Sequence, residues 1–65
     1  MADIKYIVIY PMTPGGAQTR EVTASLEYAR EIARGLMRRR KELLHFNVRI
    51  EDTDGNLIEY GDGTR

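Results

Sequence analysis

The chain reads as a small α+β domain in two layers, one amphipathic helix packed across a mainly antiparallel sheet. The order is ββαββ, or βαββ if the second strand does not form. Three stretches predict this. Ser25–Lys41 (SLEYAREIARGLMRRRK) is the only segment long and periodic enough for a helix. Ile4–Tyr10 (IKYIVIY), ahead of it, is β-branched and aromatic. Behind it, two short apolar runs, Phe46–Asp52 and Asn56–Tyr60, flank the turn sequence Thr53-Asp54-Gly55.

Ile4–Tyr10 is apolar on both faces, with Ile7 and Ile9 on one and Ile4, Tyr6, Val8 and Tyr10 on the other. A strand of that kind is usually central and covered twice. Pro11–Gly16 follows as a loop or hairpin turn, and Pro14-Gly15 suits the middle of a type II turn, which needs positive φ at its third residue. Pro14-Gly15-Gly16 lacks the spaced glycines and the lysine of a phosphate-cradling loop, so a turn is the better reading. Ala17–Thr23 can return as a polar edge strand, charged as edges often are.

Within Ser25–Lys41, Leu26, Ala29, Ile32, Ala33, Leu36 and Met37 recur at helical spacing and fall on one side. Glu27, Arg30, Glu31, Arg34, Arg38 and Lys41 fall on the other. Ser25 is the expected N-cap, with Thr23 the other candidate, because a hydroxyl can accept from the free N–H groups of the first turn. Gly35 interrupts the helix at a cost of about 1 kcal/mol relative to alanine.

The C-terminal runs allow a register to be derived. A two-residue loop at Asp54-Gly55 would set Glu59 across from Ile50, among apolar residues. A three-residue loop, Thr53-Asp54-Gly55, instead pairs Ile50 with Ile58, Val48 with Tyr60 and Arg49 with Glu59. It is also the common type I turn with a G1 bulge, which wants glycine where Gly55 stands, and it is the expected choice. Gly61–Arg65 is a polar tail, and residues 1–65 form a single domain on this reading.

Length and composition bound the function. A chain of 65 residues sits near the lower limit for folding alone, and a core that small rarely supplies more than about 3–5 kcal/mol. There is no cysteine, which excludes disulfides and thiolate metal sites, and the single histidine, His45, cannot make a zinc site alone. No cofactor is expected. The start MADIKYIVIY does not read as a signal peptide, and no run approaches the ~18 apolar residues of a membrane span. A cytoplasmic protein with no membrane partner is expected.

Formal charge is zero, but six of the ten basic residues lie in the helix and five of the ten acidic ones follow residue 50. Arg30, Arg34, Arg38, Arg39 and Lys41 offer a basic helix stripe that could meet phosphates. A solvated helix face whose end complements the macrodipole accounts for the same residues, and a neutral total favours that account. If Ile7 and Ile9 face the helix, Tyr6, Val8 and Tyr10 lie outward beside Asn47 and Arg49. Such a surface suits stacking on single-stranded bases or, better for so small a chain, a dimer interface.

Asp52, Asp54 and Asn56 mimic the start of a calcium loop, which then fails at Leu57 and Gly63. Nothing sets Ser25 or a threonine beside His45 as a nucleophile with its base, so no catalytic residue is expected. The expected function is a non-enzymatic interaction module, a homodimer or one that docks on a protein partner. The alternative is a small nucleic-acid-binding protein using the basic stripe or the Tyr6/Tyr10 face.

Overall fold

A computed structural model describes residues 5–13, 15–61 and 63. Its elements are β1 (Tyr6–Pro11), β2 (Gln18–Thr23), α1 (Leu26–Arg39), a 3-10 turn (His45–Asn47), β3 (Arg49–Asp52) and β4 (Leu57–Tyr60). The four strands form one antiparallel sheet in the order β2-β1-β3-β4, and α1 packs on one face of it. The expected α+β architecture with ββαββ order is therefore present. Ile4, Pro14 and the tail positions 62, 64 and 65, all covered by sequence expectations, lie outside the described residues.

Local chemistry explains the element ends. Ser25 has extended backbone, and its Oγ accepts from the Tyr28 N–H at 3.3 Å, capping the helix. Thr23 Oγ1 accepts from the Ser25 N–H and donates to the Ser25 carbonyl, each at 3.0 Å, so the second cap candidate fixes the approach to the first. Gly15 has φ of +73°, and the Gly16 N–H donates to the Thr13 carbonyl at 2.8 Å, closing the β1–β2 turn. At its far end α1 stops at Arg39, two residues short of the expected Lys41. Arg40 is the C-cap, its N–H donating to the Leu36 carbonyl at 2.8 Å.

Ala29, Ala33 and Leu36 of α1 lie over Val8 and Ile50 of the sheet and over Val48 just ahead of β3, with Leu43 closing the same core. Two alanines at the contact let the helix backbone come close, and Leu36 fills the remaining space. Tyr6, Tyr10, Leu26, Ile32, Met37 and Ile58 pack around this centre.

Three expectations need correction. The first concerns β1. Tyr6, Val8 and Tyr10 face the helix, and Ile7 and Ile9 face away. Pairing of Val8 with Ile50 decides this, since cross-strand partners share a face. The second concerns Phe46–Val48, expected to extend the third strand. The Asn47 N–H donates to the Leu44 carbonyl, and Asn47 Oδ1 accepts from the Leu44 N–H, both at 2.9 Å. That local closure wins over the ladder and leaves Phe46 exposed.

The third correction is the hairpin register. The three-residue loop is as derived: the Gly55 N–H donates to the Asp52 carbonyl, the Asp52 N–H to the Asn56 carbonyl, and Gly55 has φ of +87°. Glu51 then pairs with Leu57 as expected, but a β-bulge follows, and Ile50 pairs with Glu59 and Arg49 with Tyr60. The pairs Ile50–Ile58, Val48–Tyr60 and Arg49–Glu59 do not form. Volume beside Val48 is the reason. With the shift, the Gly61 N–H meets the Val48 carbonyl at 2.6 Å. Even a Cβ on Gly61 would lie 3.0 Å from Val48 Cβ and 3.2 Å from Met37 Sδ. In the unshifted register the tyrosine ring of Tyr60 would have to occupy that place.

Gly55→Val should destabilise the hairpin by about 1 kcal/mol or more, because a β-branched residue tolerates positive φ badly. Urea melts of the two proteins measure this, and coincident midpoints would contradict it.

Candidate interaction site

Cross-strand pairing defines the face that α1 does not cover. Ile7 stands between Val22 and Glu51, and Ile9 between Arg20 and Arg49. Leu57 lies across from Glu51, and Tyr60 across from Arg49. The face therefore holds an apolar set, Ile7, Ile9, Val22, Leu57 and Tyr60, with Arg20, Arg49 and Glu51 among them.

Ile9 is only 1% exposed although it points away from the helix. Its flanking arginines explain this, since long side chains can lay their methylene stems over an apolar neighbour. Arg49 Nε is itself buried and lies 2.9 Å from Glu51 Oε2, without an aligned hydrogen bond. The arginine is thus folded down onto the face. Val22 is 60% exposed, and Ile7, Leu57 and Tyr60 are half-buried.

The residues expected to form one interface are divided by the sheet. Tyr6, Val8 and Tyr10 are on the helix side, where Val8 is fully buried, and Arg49 is on the other. Burial raises the Tyr10 hydroxyl pKa above its ordinary value, and the neighbouring Glu21 carboxylate adds to this, while Arg40 and Arg39 oppose it.

The basic stripe is divided too. Arg30 donates through Nε and Nη2 to Glu59 Oε1, at 3.0 and 2.8 Å, and that hydrogen bond raises its pKa. Arg40 donates through Nη1 to the Pro11 carbonyl at 2.6 Å and through Nε to Glu42 Oε2 at 3.0 Å. A backbone hydrogen bond at Glu42, followed by the Arg40 contact, holds the Glu42 carboxyl below its usual range. One arginine thus ties α1 to β4 and the other ties its end to β1. Arg34, Arg38, Arg39 and Lys41 are exposed and make no ion pair within the described residues. Sequence reasoning missed the Arg30–Glu59 contact, because the expected register put Glu59 on the other face.

Arg30, Arg34, Glu59, Gly61 and Gly63 line a small polar cleft of about 190 Å³. Pro11, Gly15, Glu42, Leu43 and Asn47 line another of about 250 Å³ at the helix end. Asp52 Oδ1 accepts the N–H groups of Asp54 and Asn56, each at 2.9 Å. The Asn56 contact is the main cause of a lowered Asp52 pKa. These acceptors close a turn. Among the described residues no three His, Cys, Asp or Glu side chains converge as metal ligands, and no helix is long and apolar enough to cross a membrane.

No family model, curated protein or solved structure matches the chain.

Proposed function

We propose that the protein is a non-enzymatic interaction module that pairs with a second copy of itself through the open face of the sheet. The observation that carries this reading is the single helix over a sheet with apolar residues on both sides. Ile7, Val22 and Leu57 are left partly in water on a domain with little stability to spare. Arg20 and Glu51 lie on opposite sides of Ile7 and Ile9, so a twofold arrangement can match each sign with its opposite on the other copy. The face is preferred to an edge because β4 is bulged and β2 is charged, two features that blunt edges. Zero formal charge, and the engagement of Arg30 with Glu59, weigh against a nucleic-acid surface on the helix.

Dimerisation makes the melting temperature rise with protein concentration. Light scattering should give a dimer mass at high micromolar concentration. Val22→Glu, a change at a largely exposed position, should return a folded monomer. A monomer mass for the parent, with melting independent of concentration, would refute the reading.

A further inference from the structure

The polar cleft between α1 and the end of β4 carries an inference independent of the open face, since Glu59 lies on the helix side of the sheet, across from Ile50. Arg30 and Arg34, one turn apart on α1, line it together with Glu59, Gly61 and Gly63. Both Arg30 bonds end on Oε1 of Glu59. Oε2 accepts no hydrogen bond among the described residues, although the side chain is only 7% exposed. Carboxylates buried to that degree fill their acceptor positions as a rule, so the open oxygen calls for a donor.

Glycine keeps the way to that oxygen clear. Gly63 has φ of +90°, and a Cβ on it would lie 3.9 Å from Oε2, so a side chain there would stand over the oxygen. Arg34 is exposed and makes no ion pair among the described residues. The cleft thus presents a carboxylate oxygen and a guanidinium to a shared space of about 190 Å³. A water needs only about 10–15 Å³ of such space, so a molecule of several heavy atoms has room.

We propose that this cleft binds a small zwitterion, an amino acid whose ammonium donates to Glu59 Oε2 and whose carboxylate accepts from Arg34. Charge-assisted hydrogen bonds at both ends hold it. The same two groups select it. A plain anion meets the Glu59 carboxylate as well as the guanidiniums, and a plain cation meets Arg30 and Arg34 as well as Glu59. Each therefore leaves one end of the cleft unanswered or opposed, which is where the discrimination arises.

The test titrates the full chain, labelled for amide NMR, with glycine, β-alanine and γ-aminobutyrate, three zwitterions that differ in the spacing of their charges. Acetate and methylammonium, each with one of the two charges, are the controls at matched ionic strength. At least one zwitterion should shift the Gly61 and Gly63 amide signals saturably and bind about tenfold more tightly than either control. Arg34→Met, a change at an exposed position, should keep the parent's amide spectrum elsewhere and weaken that ligand about tenfold. Unmoved Gly61 and Gly63 signals with all three zwitterions would overturn the inference. So would acetate binding as tightly as the best of them, or unchanged binding by Arg34→Met. None of these outcomes bears on the open-face dimer, which is read from mass.

Discussion

Leu36→Ala should leave the domain largely unfolded at room temperature. Leu36 is 5% exposed and is the largest helix side chain in the buried core, which it shares with Ala29, Ala33, Leu43, Val8, Val48 and Ile50. Truncating a buried leucine costs about 2–5 kcal/mol, the loss of transfer free energy plus the cavity left behind. Collapse into that cavity is hard here, because the other two fully buried helix positions, Ala29 and Ala33, are alanines and cannot reach across it. A core of this size supplies only about 3–5 kcal/mol net, so the substitution removes most or all of it. The far-UV circular dichroism signal and urea midpoint of Leu36→Ala should approach those of the denatured chain. Tyr28→Ala is the control: Tyr28 is 62% exposed on the same helix, and its removal should shift stability by less than about 0.5 kcal/mol. If Leu36→Ala melts like the parent, the packing of α1 on the sheet is wrong.

The helix face was legible because period and polarity agree along Leu26–Met37, and the buried residues Ala29, Ala33 and Leu36 all lie on that side. The β3–β4 loop was legible because Gly55 supplies a backbone conformation that few other residues take. Legibility stopped where volume decided. Whether β4 keeps its register depends on what fits between Val48 and Met37, a helix residue that the hairpin sequence does not reveal. Alternation alone favoured Tyr60 there, and the structure sets Gly61 there instead.

The face of β1 was ambiguous for a related reason. Both sets of its residues are apolar, and only pairing with Ile50 distinguishes them. The candidate interface inherited that ambiguity. Tyr6, Val8 and Tyr10 became core or its margin, and the open face is built instead from Ile7, Val22, Leu57 and Tyr60 around Arg49 and Glu51. A signal for Arg49 was available, since Glu51 stands two residues along the same strand on the same face. No such signal existed for Arg30, whose partner lies 29 residues away on a bulged strand.

Arg30→Met should destabilise the protein more than Glu59→Met, and the double substitution should recover most of the difference. The asymmetry follows from burial. The Glu59 side chain is 7% exposed and faces the helix, whereas that of Arg30 is 40% exposed. Without Arg30, the carboxylate is left in a mostly dry site with its only described ion-pair partner gone, and water reaches it poorly. Without Glu59, the guanidinium can turn into solvent. Solvent screening keeps the pair from being worth much as a pair, so its removal from both sides at once is mild. Replacing a partly buried ion pair by two apolar side chains is often neutral, whereas stranding one charge is not. In melts of the four proteins, Arg30→Met should be lowest, and the double variant should lie near Glu59→Met. The same experiment probes the bulge, because Glu59 can meet Arg30 only in the shifted register that sets it across from Ile50. Equal melting of Arg30→Met and Glu59→Met, with simple additivity in the double variant, would show that the two side chains do not meet. Glu59 would then belong on the open face across from Arg49, as the unbulged hairpin requires.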